Sequence, residues 1–158
     1  MKHVTPAIEI RRASPEDAPD VARLLHDFNT EFDDFTPGVE VLTKNARRML
    51  ENDEMLVLLA GEGPDGFAEL RFRRSVWTGK LDAYLEELYV VPKLRGQGIG
   101  RALLEAAMEA SRAQGAAHID LGTSEDDVAA RALYESAGFT NREGKPDGPV
   151  MYFYEREL

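Results

Sequence analysis

The stretch Leu85–Arg101, LEELYVVPKLRGQGIGR, leaves the chain few ways to fold. Leu85 to Val91 is apolar apart from two adjacent carboxylates, Glu86 and Glu87, and Pro92 ends it. That is the pattern of a buried strand closed by proline. Arg95-Gly96-Gln97-Gly98-Ile99-Gly100-Arg101 follows and runs at once into a helix whose buried face carries Ile99, Leu103, Ala107 and Ala110. Alternate glycines strip the turn of side chains, so its backbone N–H groups and the positive end of the helix dipole can meet an anion. Arg95 and Arg101 add guanidinium groups suited to phosphate. A strand, a bare turn and a helix in this order predict a docked diphosphate. The spacing is not a dinucleotide fingerprint, because Arg101 stands where a third glycine is needed. It is not a P-loop, because no Gly-Lys-Ser/Thr follows.

Around this unit the chain reads as mixed α/β. Ile8–Arg11 alternates as an opening strand. Ser14 and Pro15 start a helix that carries Ala18, Val21, Leu24, Leu25 and Phe28 at helical spacing. Thr43 is placed to cap a second helix through Leu50. Met55–Ala60 and Phe67–Arg74 flank a Gly/Pro/Asp turn and predict a hairpin. Trp77-Thr78-Gly79-Lys80 turns the chain into the central strand. A strand at His118–Leu121, a helix over Asp126–Ala137, and closing strands at Phe139–Arg142 and Val150–Tyr154 complete the order. The hairpin-linked middle strands exclude a fully parallel doubly wound sheet and predict a mixed sheet with helices on both faces.

With 158 residues, one domain spanning the whole chain, residues 1–158, has enough length for a proper core. The formal net charge of −10 argues against a nucleic-acid partner and favours cationic ligands. No apolar run is long enough to span a bilayer, and the opening residues lack a signal-peptide pattern. The absence of cysteine removes any thiol nucleophile and fits a reducing, cytoplasmic setting. His3, His26 and His118 are scattered without ligand spacing, so no metal is expected.

Arg95, Gly98 and Gly100 fill the pattern Arg/Gln-x-x-Gly-x-Gly/Ala. Ala130, Leu133, Tyr134, Gly138 and Phe139 match a second pattern, Asn-x-x-Ala-x-x-Leu-Tyr-x-x-x-Gly-Phe. In that order the two resemble the signatures of the GNAT superfamily of N-acetyltransferases. The resemblance implies a mixed sheet flanked by helices whose fourth and fifth strands splay apart, with acetyl-CoA as acetyl donor in the gap. It implies that Leu88, Tyr89 and Val90 pair with the pantetheine arm. Arg95, Gly96, Gln97, Gly98, Ile99, Gly100 and Arg101 would hold the diphosphate. The family asparagine falls on Asp127, a cofactor-side position that an ionised Asp cannot fill as a donor and can equally occupy as a helix cap. Enzymes of this family and size are often dimers.

An alkyl ammonium must lose a proton before it can attack a thioester, and the departing thiolate benefits from a nearby acid. Tyr134 matches the family's acid position. Glu86 and Glu87 are the candidate bases and fall on opposite faces of a regular strand, unless a bulge intervenes. Tyr84-Leu85-Glu86-Glu87 resembles a stretch of spermidine/spermine acetyltransferases, which also carry a Trp-x-Gly-Lys turn. It resembles, too, a stretch of aminoglycoside acetyltransferases preceded by a Gly-Phe-Ala-Glu strand, like Gly66-Phe67-Ala68-Glu69. Both comparisons assign the base or amine anchor to Glu86. The region between the first two helices borders the acceptor site in this family. Here Phe28, Glu31 and Asp33, with Glu86 and Glu87, form a wall suited to an ammonium group. The expected reaction is acetylation of a primary amine on a small cationic acceptor, a polyamine or an amino-sugar. Acetylation of a protein or peptide, or a non-catalytic acyl-CoA sensor, are the alternatives.

Overall fold

A computed structural model describes residues 7–158. They fall into two compact units, one reaching to Leu121 and the other spanning Gly122–Leu158.

The first unit holds a five-stranded sheet in the order β1-β2-β3-β4-β5. Its strands are β1 Ile10–Arg12, β2 Leu56–Ala60, β3 Gly66–Arg74, β4 Leu81–Val90 and β5 Ala116–Asp120. Neighbours from β1 to β4 are antiparallel, and β4 pairs with β5 in parallel. The parallel pair needs a crossover, which the glycine turn and α3 (Ile99–Ala113) supply. The helices α1 (Ala18–Glu31) and α2 (Val39–Glu51) come between β1 and β2.

β2 and the first half of β3 are buried residue after residue, because both faces are covered. On one face Val57, Leu59, Phe67 and Tyr89 pack with Val21 and Leu24 of α1 and Ala46 and Leu50 of α2. On the other, α3 lies against β2 to β5 and buries Leu103, Leu104 and Ala107. The sheet and this helix meet closely at Gly66. A Cβ there would stand 2.7 Å from the Tyr89 carbonyl oxygen and 3.2 Å from Leu103 Cδ1.

The helix start expected at Ser14 is a single 3₁₀ turn, Pro15–Asp17, that leads into α1. Asp17 accepts the Ser14 N–H at 2.8 Å and both guanidinium N–H groups of Arg11 at 2.8 Å, which holds its carboxyl well below the usual range. α2 begins four residues before Thr43, with Gly38 as N-cap at φ +94°. Thr43 instead donates its hydroxyl back to the Val39 carbonyl at 2.7 Å.

In the second unit, α4 spans Val128–Ser136, and Asp127 caps it by accepting the Ala130 N–H at 3.2 Å. Among the described residues the two closing strands expected at Phe139–Arg142 and Val150–Tyr154 do not form. A single antiparallel bridge, Arg142 to Val150, is what joins them. Gly144 and the turn Lys145–Gly148 bring these residues together, but the pairing stops after one step.

Candidate active site

β4 loses its partner where the chemistry is expected. Its pairing with β5 runs from Leu81–Ala116 to Tyr84–Asp120 and stops, so among the described residues Leu85–Val90 has no strand beside it on that edge. Leu88, Tyr89 and Val90 lie in this stretch. Val90 also accepts the Arg95 Nε–H at 2.9 Å through its carbonyl.

The turn after β4 has a backbone geometry that suits an anion. Pro92–Leu94 makes one 3₁₀ turn, and Gly96 and Gly98 then adopt φ +77° and +87°. Only glycine enters that region without a steric penalty. Gly98 is the N-cap of α3, so the N–H groups of Ile99 and Gly100 open the helix with no carbonyl one turn back inside it to bond. The third glycine, Gly100, lies inside the first turn of α3. A Cβ on Gly96 would meet nothing within 4 Å, so the turn is bare toward solvent.

Arg95 is tied down at the mouth of the turn. Its Nη2 donates to both oxygens of Glu31, at 2.8 and 3.0 Å, and its guanidinium lies 5.5 Å from the centre of the Tyr89 ring. Glu31, expected to bind an ammonium, therefore already serves a cation from the glycine turn. The same contacts link α1 to the loop that follows β4. Phe28 sits behind them, its ring 5.1 Å from Tyr89 and 5.3 Å from Phe32. Asp33, exposed, takes a left-handed φ of +55° at the end of α1.

Glu86 and Glu87 are separated by a bulge. Glu69 pairs with Glu87, but the next residue, Leu70, pairs with Leu85, so Glu86 is the extra residue on β4. A regular strand would put Leu85 and Glu87 on one face. The bulge leaves Glu87 with Tyr89 and Phe67 on the α1 side and turns Leu85 to the opposite side with Leu70. Glu86 is exposed and Glu87 half-buried.

The bulge also creates a group that the sequence reading left without a role. Glu69, only 6% exposed, stands directly opposite Glu87 on the same face. Among the described residues neither carboxyl has a hydrogen-bond or ion-pair partner. Burial, then the charge of Glu86, raises Glu69 to about 7 against a weaker opposing pull from Arg71. Burial raises Glu87 to about 7 as well, reinforced by Glu69, Glu86 and Asp34. Asp34 belongs to the connection between α1 and α2, so the charge of this connection is felt at Glu87. Glu69 was detectable in principle: it alternates with the core residue Phe67, and a carboxylate in register with a core face is a conspicuous exception.

Tyr134 and Asp127 lie in the second unit. The Tyr134 ring is 6.0 Å from that of Phe139, and its carbonyl accepts the Phe139 N–H at 3.0 Å, so Gly138 (φ +93°) folds Phe139 back onto the helix end. Asp127 has the capping role open to it from the sequence. Among the described histidines, His26 shares a 2.9 Å hydrogen bond with Thr36 and His118 lies 3.8 Å from Asp120. His3 lies outside the described residues.

Comparison with known proteins agrees with this construction. The model of the acetyltransferase (GNAT) family matches residues 19–139. An aminoglycoside N(6')-acetyltransferase type 1 of Stenotrophomonas maltophilia is 34% identical over 156 residues, 95% of this chain and 94% of the relative. A thialysine N-epsilon-acetyltransferase of Caenorhabditis elegans is 25% identical, over 84% of this chain and 83% of the relative. The crystal structure of a protein assigned as an acetyltransferase, from Arthrobacter sp. FB24, superposes with a TM-score of 0.89 at 43% identity, covering 99% of this chain and all of that one. No described helix is long and apolar enough to cross a membrane. With the family match over most of its length and a relative of similar size at 34% identity, the chain belongs to the GNAT family and is an N-acetyltransferase.

Proposed function

We propose that the chain transfers an acetyl group from acetyl-CoA to the primary amine of a small cationic acceptor, an amino-sugar or a polyamine, by direct attack. The observation that carries this reading is the acid-rich edge of β4. Glu86 and Glu87 lie within the segment that has lost its strand partner, with Asp34 close enough to act on Glu87 electrostatically. Carboxylates there attract an ammonium group and remove its proton. The relatives named for aminoglycoside and thialysine acetylation support an amine on a cationic small molecule.

The residues present fit the donor. Two left-handed glycines and the open N-terminus of α3 suit a diphosphate, and the free edge at Leu88, Tyr89 and Val90 suits an amide-bearing arm. In this proposal Gly96, Gln97, Gly98, Ile99, Gly100 and Arg101 hold the diphosphate, and Arg95 braces the turn through Glu31. Glu86 anchors the ammonium with Asp33, Glu31 and Phe28 in the surrounding wall, a β4 carboxylate accepts the amine proton, and Tyr134 protonates the leaving thiolate. Asp127 caps the helix that carries Tyr134. Residues 1–158 work as one catalytic domain, in the cytoplasm, as a homodimer. The cysteine-free composition is compatible with a reducing compartment.

The test is acetyl-CoA-dependent release of free thiol over a panel of aminoglycosides, spermidine, diamines, lysine analogues and a peptide N-terminus. The protein contributes no thiol of its own. Turnover confined to cationic small amines is expected. Turnover on the peptide alone would replace the proposal with peptide acetylation. Donor binding without any turnover would replace it with an acyl-CoA sensor. Light scattering of the purified protein tests the dimer.

A further inference from the structure

We propose that Glu69 and Glu87 act as an electrostatically coupled pair, with Glu87 accepting the proton of the acceptor ammonium and Glu69 holding Glu87 basic enough to do so. This rests on the amine acetyltransferase reading above and names the proton acceptor within it.

The geometry is set by the bulge at Glu86. Glu69 of β3 and Glu87 of β4 are direct cross-strand neighbours, and such neighbours have Cβ atoms about 5 Å apart. Glu69 is more than nine-tenths buried with no hydrogen bond or ion pair among the described residues, an arrangement that serves no evident structural purpose. Ionisation of either carboxyl at this position disfavours ionisation of the other, so the two titrate together and hold protons to higher pH than a solitary exposed carboxyl does. Phe67 and Tyr89 lie next along the same face and Val57 is the partner of Glu69 on β2, so the buried side of the pair is apolar.

The charged groups acting on the pair are Glu86 of β4, Arg71 of β3 and Asp34 of the α1–α2 connection. Two of the three are acidic, so the surroundings favour the protonated pair. Glu69 faces the core and Glu87 is half-buried beside exposed Glu86. An incoming ammonium is therefore held by Glu86 and delivers its proton to Glu87. A solitary exposed carboxylate, with a pKa near ~4, is a feeble base toward an alkyl ammonium near ~10. A pair titrating near neutrality is a better one.

The step balances as follows. The ammonium gives one proton to the ionised carboxyl of the pair. The amine nitrogen forms the C–N bond as the thioester C–S bond breaks. A second nitrogen proton ends on the departing thiolate, and the pair returns the first to water. Products are the amide, the thiol and one proton.

The experiment has two arms on the same full-length protein. In the first, carboxyl-¹³C-labelled glutamate is titrated by NMR without substrate. Two coupled transitions near pH 7 are expected, and Glu69→Gln should leave one, displaced downward by about one pH unit. Ordinary titration of both groups below pH 5 overturns the proposal. In the second, kcat/KM for an accepted amine is followed against pH. The acid limb should lie near pH 7 in the unaltered protein, fall by about one pH unit in Glu69→Gln, and return in Glu69→Asp, which also shows that the site still folds. Glu87→Gln should lower kcat by roughly 10²-fold or more with the acetyl-CoA Kd unchanged. An acid limb that Glu69→Gln leaves in place overturns the role of Glu69. If no amine is acetylated, the functional reading fails and this catalytic role with it. Acetylation with an unmoved limb sinks the pair alone.

Discussion

Replacing Glu69 by Gln should make this protein more stable at alkaline pH, the reverse of the usual effect of a buried substitution. Glu69 is 6% exposed and raised from 4.5 to about 7, chiefly by burial. The folded state therefore holds a proton that the unfolded chain releases near 4.5. The stabilising contribution is complete below that value, declines as pH rises and is gone above 7, where the folded protein must carry the buried charge. At about 1.4 kcal/mol per pH unit, the loss between pH 4.5 and pH 8 amounts to about 3 kcal/mol. Glu87 shares in this and does not double it, because part of its rise is due to Glu69 itself. Gln has nearly the same shape, carries no charge and gives up no hydrogen bond. Urea unfolding at pH 5, 7 and 8.5 should show the unaltered protein losing stability across the range. Glu69→Gln should flatten that slope and gain about 2–3 kcal/mol at pH 8.5. Equal slopes for the two proteins would refute the shared burial of these carboxyls.

Three further outcomes follow from the proposed roles of individual residues. Tyr134→Phe should reduce kcat by roughly 10²-fold while leaving the acetyl-CoA Kd unaltered, as measured by steady-state turnover and calorimetry. Gly98→Ala forces a side chain into φ +87° at the N-cap of α3 and should cost about 1–2 kcal/mol in thermal unfolding, together with weaker acetyl-CoA binding. Glu31→Gln should change stability by less than about 1 kcal/mol, since its pair with Arg95 is partly solvated. The same change should raise KM for a cationic amine and alter acetyl-CoA affinity, because Arg95 loses the partner that fixes it.

The sequence by itself determined the fold class and the strand–turn–helix unit on which the candidate site is built. The strand closed by Pro92, the alternate glycines and the helical period after Ile99 are local signals, and each folds the chain in one way whatever its neighbours do. The cap at Asp127 and the foldback at Gly138 belong to the same kind. What distance along the chain hides, only the tertiary structure decided. The bulge at Glu86 depends on how β4 registers with β3, and that register chose which carboxyl faces the α1 side. Burial of Glu69 needs the whole sheet packed beneath α1 and α2, so its raised pKa could not be read from residues 66–69 alone. The engagement of Arg95 by Glu31 joins positions 64 residues apart. The expected closing strands are the converse case. Phe139–Arg142 and Val150–Tyr154 have strand-like composition, but a strand exists only when its backbone finds a continuous partner, and within this chain the pairing stops at one bridge.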